Sequence, residues 1–281
     1  MTWTTTHDVT VYLAAAGDFL RSRPAEHTIH LTVADMLRTR GATVYGDAPS
    51  LFGWWREADG SVGAALFQTP PRAVQVTHLP DAAVAPLAKL LAGPAAGDAP
   101  PTAVELPRAP AEAFAAAWGP GARVTHETRL YRLGTLVPPD PAPEGRARIA
   151  GPADRDLLLS WTESFMADVG APTTALADTV DDRLSHDGFV LWERPDGAPV
   201  SMASATRLIA GAVRIAFVYT PPEHRRHGYA GAVTAAASRR ARGEGAAEVV
   251  LFTDLANPTS NAVYQRIGYR PVFDRVALEL S

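Results

Sequence analysis

Four prolines fall within nine residues in the stretch Val137-Pro-Pro-Asp-Pro-Ala-Pro-Glu-Gly145. Each one fixes φ at about −65° and removes a backbone donor, so neither a helix nor an internal strand can run through the segment. A chain of 281 residues broken near its middle in this way is expected to fold as two bodies of ordinary domain size. The break defines a first domain over residues 1–136, a linker over 137–145 and a second domain over 146–281. A further Gly-, Pro- and Ala-rich stretch, Gly93–Pro101, reads as a surface loop inside the first half.

Hydrophobic periodicity and turn residues give each half nearly the same succession of elements. In the second half, Ala153–Phe165 and Asp178–His186 read as helices. Gly188–Trp192, Val200–Leu208 and Val213–Tyr219 read as strands, separated by the turn signals Pro195-Asp-Gly197 and Ala210-Gly211. Tyr229–Arg242 reads as a helix ending at Gly243, Glu248–Thr253 as a strand, Pro258–Ile267 as a helix with Gly268 as its C-cap, and Arg270–Leu280 as a last strand. In the first half, Ala14–Leu20 and Leu31–Arg40 supply leading helices. Strands follow at Leu51–Trp55, Val62–Gln68 and Ala73–His78, a helix at Asp81–Leu91, a strand at Thr102–Leu106, a helix at Ala111–Trp118 and a strand at Val124–Leu133. The fold class is therefore α+β, and the repeated order points to an internal duplication. In the first half, Trp54-Trp55 alternates across a strand, which sends one ring to a core and the other to an interface.

Composition narrows the function classes. Hydrophobic residues make up 47% of the chain, ample for packed cores, while the net charge of −4 supplies no excess cation for binding nucleic acid. The chain has no cysteine, which excludes disulfides, thiolate metal sites and a cysteine nucleophile. No apolar run approaches the ~20 residues needed to cross a bilayer, and residues 1–10 lack the apolar stretch of a signal peptide. The expectation is a cytoplasmic protein without a membrane partner.

The richest segment runs from Ile215 to Val272. An apolar strand leads into Pro221-Pro-Glu-His-Arg-Arg-His-Gly-Tyr-Ala230, which opens an Ala-rich helix; a second strand and Asn257-Pro-Thr-Ser-Asn-Ala-Val-Tyr264 follow. A basic, Gly-containing turn at a helix N-terminus aims N–H groups and a helix dipole at an anion. The turn has no Gly-Lys-Ser/Thr, and Gly228-Tyr-Ala-Gly231 lacks the Gly-x-Gly of a dinucleotide fingerprint. Arg225-x-x-Gly228-x-Ala230, followed by Asn257-x-x-Ser260-x-x-x-Tyr264 and Gly268-Tyr269, resembles the two signatures of the GNAT superfamily of acetyl-CoA-dependent acyltransferases. The first half resembles a degenerate copy. Thr77-His-Leu-Pro-Asp81 stands where the Arg/Gly turn would be, and aligning Gly121 with Gly268 puts Ala117, Pro110 and Ala113 opposite Tyr264, Asn257 and Ser260.

The resemblance implies two tandem GNAT-like domains, each a mixed, mostly antiparallel sheet flanked by helices, with acetyl-CoA as cosubstrate and no metal. It implies a cosubstrate site made of Val218, Tyr219, Thr220, Arg225, Arg226, His227, Gly228, Tyr229, Ala230, Asn257, Ser260 and Asn261. In this family the strand over Val213–Thr220 splays from its neighbour, pairs with the pantetheine arm and offers an N–H near Val218 to the thioester carbonyl. Tyr264 is the expected catalytic acid: a phenol of pKa ~10 stays protonated at neutral pH and can donate to a departing thiolate of pKa ~8.5. The general base is not legible; Glu163, His186 and Glu223 are the candidates, and each reads first as a solvated surface residue. His224 and His227 suggest no third metal ligand. The implied activity is transfer of acetyl to a primary amine of a small molecule or peptide. The alternative is a CoA-binding sensor without turnover, and a longer acyl group is a third reading. The expected assembly is a monomer or weak homodimer.

Overall fold

The computed structural model describes residues 1–93, 100–171, 173 and 175–281. Most of the loop expected at Gly93–Pro101 lies outside the described residues. The described residues gather into two compact units, and the division differs from the sequence boundary. Unit 1 comprises Met1–Leu130, Asp254–Ala256 and Phe273–Ser281; unit 2 comprises Tyr131–Thr253 and Asn257–Val272.

In unit 1 the elements run β1 (Thr2–Thr6), α1 (Val9–Ser22), α2 (Thr28–Arg40), β2 (Leu51–Arg56), β3 (Val62–Gln68), β4 (Val74–Val76), α3 (Asp81–Ala92), β5 (Ala103–Pro107), α4 (Arg108–Trp118) and the first part of β6 (Ala122–Leu133). Asp8 opens α1 by accepting from the Thr10 N–H at 2.6 Å, the expected work of an N-cap carboxylate. The sheet order is β1-β2-β3-β4-β5, antiparallel except for the parallel pair β4/β5. The next strand beside β5 is β12 (Tyr269–Leu280), paired antiparallel from Arg275 to Glu279. Val276, Leu278 and Leu280 join Val104, Leu106, Leu87, Leu91 and Phe114 in one buried cluster. That apolar alternation gives the last residues of the chain to unit 1. Trp54 and Trp55 are both buried, and Trp55 joins this cluster. Arg275, 3% exposed, sends Nη1 to the Val76 carbonyl and Nη2 to the Glu105 carbonyl and the Gln75 Oε1. Pairing of β4 with β5 has just ended at Gln75/Glu105, so the guanidinium spans the two strands where they part.

In unit 2 the order repeats: β7 (Arg146–Ile149), α5 (Arg155–Asp168), α6 (Leu176–Leu184), β8 (Phe189–Glu193), β9 (Pro199–Ala205), β10 (Ala212–Tyr219), α7 (Tyr229–Gly243), β11 (Glu248–Asp254), α8 (Pro258–Arg266) and the start of β12. Strands β7 to β10 pair antiparallel in succession and β10/β11 is parallel, with β6 beyond β11. One core lies against α7 and α8, around Val213, Val233, Leu251, Tyr264 and Tyr269. A second lies against α5 and α6, around Leu158, Val180, Leu191 and Met202. The sequence reading finds every long apolar element and misses β1 and β7, the leading strand of each unit. Both are short and polar: Thr2–Thr6 carries four threonines, and Arg146 and Arg148 are turned to Glu193 in β8.

Candidate active site

The site begins with a break in pairing. Strand β10 follows β11 in register only from Ala212/Glu248 to Ile215/Leu251, although β10 continues to Tyr219 and β11 to Asp254. On its other edge, β10 pairs with β9 at Ala216/Ser204 and again at Tyr219/Met202, so two residues of β10, Phe217 and Val218, oppose the single Ala203 in a bulge. Phe217 sits at φ +46°, a left-handed conformation costing ~1–3 kcal/mol for a residue with a Cβ. The bulge is held from β9. Ser204 Oγ donates to the Ala216 carbonyl at 3.0 Å and Ser201 Oγ to the Tyr219 carbonyl at 3.0 Å. The Thr220 hydroxyl meets the same Ser201 at 2.8 Å. Carbonyls on the β9 side are thereby satisfied, and the β11 side is left free for a ligand that pairs like a strand.

The chain then turns into α7. Arg225 does not reach out: Nε donates to the Thr220 carbonyl at 3.0 Å and Nη2 pairs with Asp168, the last residue of α5, at 2.7 Å. Arg226, at φ +66°, is exposed and has no partner among the described residues. His227 Nδ1 lies 3.3 Å from the His224 carbonyl and its ring stacks on Tyr229 at 5.6 Å. Gly228 stands at φ +83° as the N-cap of α7. A Cβ there would meet nothing nearer than Pro143 at 3.9 Å, so the backbone angle rather than space requires glycine. No side chain caps α7, and its first helical bond is Ala232 N–H to the Gly228 carbonyl. The N–H groups of Tyr229, Ala230 and Gly231 are therefore left outside the helical bonding, in a turn suited to an anion, preceded by two left-handed residues and the exposed guanidinium of Arg226.

Helix α8 supplies the other wall. Asn257 is its N-cap, accepting from the Ser260 N–H at 3.0 Å, and Pro258 takes the first helical position. Asn261 is engaged within the unit: Oδ1 accepts from the Tyr131 hydroxyl at 2.9 Å and Nδ2 donates to the Asn257 carbonyl at 2.7 Å. Tyr264, 8% exposed, packs in the same cluster as Val218, edge-on to Tyr269 at 6.2 Å. Burial pushes its phenol up to about 12. The predicted residues from Val218 to Ala230 thus form one continuous strand–turn–helix, and Tyr264 shares a packed cluster with Val218.

The candidate bases divide by burial. Glu163 and Glu223 are exposed. His186 Nε2 lies 3.3 Å from the Ala205 carbonyl, Nδ1 is buried without a hydrogen-bond partner among the described residues, and burial beside Arg183 and Arg207 lowers its pKa. No group of His, Asp and Glu suited to a metal occurs among the described residues, and no described helix is long and apolar enough to cross a membrane. Three contributors escape the sequence reading: the Phe217 bulge, the Ser201/Ser204 clamp and Asp168. Only the serines leave a trace, as small polar residues inside an otherwise apolar strand.

Residues 156–269 match the acetyltransferase (GNAT) family. No curated protein sequence matches the chain. Among solved structures, a GNAT-family acetyltransferase from Colwellia psychrerythraea is similar over all of both chains at 12% identity and a TM-score of 0.63. A GCN5-related N-acetyltransferase from Sphaerobacter thermophilus is similar over 98% of this chain and 94% of that one, at 16% identity and a TM-score of 0.62. A tandem GNAT protein from the clavulanic acid biosynthesis pathway covers 98% and 97%, at 15% identity and a TM-score of 0.55. At these identities the likeness is one of fold. Unit 2 thus carries a domain of the acetyltransferase (GNAT) family, in a chain folded as two GNAT-like units in tandem.

Proposed function

We propose that unit 2 binds acetyl-CoA and transfers its acetyl group to a primary amine of a small molecule or peptide. The observation that carries this reading is the continuity of two seats: the edge of β10 that stops pairing with β11 after Ile215 runs into the N-terminus of α7, which no side chain caps. A ligand with an amide-bearing arm and a diphosphate matches both, the arm pairing as a strand and the diphosphate taking the N–H groups of Tyr229 to Gly231.

The protein's part in the chemistry follows from placement. The bulge aims backbone at the thioester carbonyl, with an N–H near Val218 stabilising the oxyanion formed as the amine nitrogen attacks. The C–S bond then breaks, and its electron pair goes to the thiolate beside Tyr264. A phenol at about 12 is a weaker acid than free tyrosine, so it donates a hydrogen bond to the sulfur while remaining protonated. The proton lost by the attacking amine leaves to solvent. Orientation supplies most of the acceleration, with effective molarities of order 10⁵ M or more.

Unit 1 serves as scaffold in this reading. The parting of β4 and β5 is spanned by Arg275, and Thr77–Asp81 holds no arginine or glycine. One equivalent of acetyl-CoA per chain is therefore expected. The test is calorimetry on the full chain and on Arg226→Glu, together with CoA release over a panel of amines. Reversing the free charge at the anion seat should weaken acetyl-CoA several-fold to hundreds-fold, from ~1.5–3 kcal/mol per charge-assisted bond. Equal affinity in both proteins would refute the placement. Binding without release of CoA on any amine would favour a sensor instead.

A further inference from the structure

The acceptor's chemistry is written in the face of β10 opposite α7. On the α7 face the site is closed: Tyr229, Ala232, Val233 and Tyr264 are all under a tenth exposed. On the α5 face it is not. Trp161 and Phe165, one turn apart on α5, meet the bulge itself. Trp161 tilts against Tyr219 with ring centres 6.1 Å apart, and Phe165 stands edge-on to Phe217 at 5.6 Å. Trp161, Phe165 and Phe217 are only partly buried, at the margin of the cluster they pack against. Core packing alone would hide these rings as it hides Phe189 and Leu158 in the same cluster.

We infer that unit 2 takes an acceptor whose amine is joined through a short chain to a flat apolar group, an arylalkylamine in chemical class, and that Trp161 and Phe165 select it. This rests on the acetyl transfer proposed above. An attacking nitrogen must come within about 3.5 Å of a carbonyl carbon held by the bulge. Whatever carries that nitrogen then lies within ring-contact distance of Phe217, and the partly open aromatic surface is on the α5 side. Asp168 is committed to Arg225, and Asp182 to Arg183 and Arg207, while the exposed Glu163, two residues from each ring, lies on the other side of the helix. A polycation or a multiply hydroxylated amine would meet ring surface there, with the carboxylates of Asp168 and Asp182 already paired. A ring finds aromatic faces and edges, and its ammonium is attracted to the same faces before it loses its proton.

The test compares 2-phenylethylamine, n-butylamine, spermidine and glucosamine as acceptors at saturating acetyl-CoA. The inference expects kcat/KM for 2-phenylethylamine to exceed that for each of the others about ten-fold or more. Phe165→Ala should bring 2-phenylethylamine close to butylamine while leaving the acetyl-CoA Kd unchanged. Phe165→Leu keeps the apolar fill and guards against misfolding; it should lose part of the preference. Spermidine or glucosamine preferred by the parent, or a preference untouched in both variants, would overturn the inference and leave acetyl transfer standing. If no amine is turned over, calorimetry of 2-phenylethylamine against the CoA-saturated protein decides, and absence of binding overturns the assignment. Failure to bind acetyl-CoA at all would instead remove the underlying activity.

Discussion

A phenol that burial holds at about 12 keeps its proton throughout the range in which thioesters are handled. In the proposed transfer Tyr264 contributes a hydrogen bond, and its loss should appear in chemistry rather than in binding. Tyr264→Phe retains the ring against Tyr269 and should leave acetyl-CoA affinity unchanged while lowering the single-turnover rate ~10²-fold, toward the lower end of general-acid effects. A parental rate in rapid quench would assign Tyr264 to packing alone. The pH profile of the parent should show no loss from Tyr264 up to pH ~10, because a raised phenol pKa extends the protonated form upward. A second residue-scale effect lies in unit 1. His27, 1% exposed with Nδ1 on the Leu20 carbonyl, is lowered by burial to about 4. Because its folded pKa is below its unfolded value of ~6.5, the unfolded chain takes up a proton first as pH falls. Stability is then full above pH ~6.5 and declines toward pH ~4. Thermal unfolding at pH 5 should report about 2 kcal/mol less stability than at pH 7 from His27 alone. His30, lowered by burial in the same direction, adds to the loss. A Tm that rises on acidification would contradict both.

Among the elements, two glycines separate a requirement of backbone angle from one of space. Gly228 needs its φ of +83° but has room for a Cβ, so Gly228→Ala should cost ~1–2 kcal/mol in urea unfolding and weaken acetyl-CoA by reshaping the seat. Gly268, at φ +104°, would place a Cβ 1.9 Å from the Thr135 carbonyl oxygen, so Gly268→Ala should cost about 3 kcal/mol or more. Equal costs at the two positions would refute this division. Both glycines stand out in the sequence, and the reason is general: a Gly closing a helix or opening one is a local signal, as is Asn257-Pro258 at the start of α8. The bulge at Phe217 left no such mark, since nothing in Arg-Ile-Ala-Phe-Val-Tyr distinguishes a straight strand from one that gains a residue against Ala203. Splaying is set by which neighbours stop pairing, a tertiary property. The leading strands β1 and β7 were missed for a different cause. Their threonines and arginines face water at a sheet edge, where hydrophobic periodicity is silent. Asn257 and Asn261 were legible as polar residues of α8, but the sequence could not tell that one caps the helix and the other is engaged by Tyr131.

For the whole molecule, the proline-rich segment carries no helix or strand, and the compact units divide at other residues. Tyr131 lies before it and belongs with unit 2, where its hydroxyl joins Asn261 and Gln265, while Phe273–Ser281 belongs with unit 1. A fragment starting at Arg146 would lack Tyr131 and the Val137 N–H that meets the Ile267 carbonyl. A chain ending at Val272 would strip unit 1 of Val276, Leu278, Leu280 and the Arg275 guanidinium. We expect that truncation to lose the protection of β4 and β5 amides in hydrogen exchange while β8 and β9 remain protected. Retained protection in β4 and β5 would show that unit 1 is complete without its last strand.

The same strand inverts the order of folding during synthesis. Residues 1–130 leave the ribosome well before residues 273–281, which complete their sheet. At ~5–20 residues per second the first unit waits on the order of ten to thirty seconds with the β5 edge and its apolar cluster uncovered. The second unit can close before it. A nascent chain of this protein is therefore expected to need protection over residues 1–130 until residues 273–281 have been made.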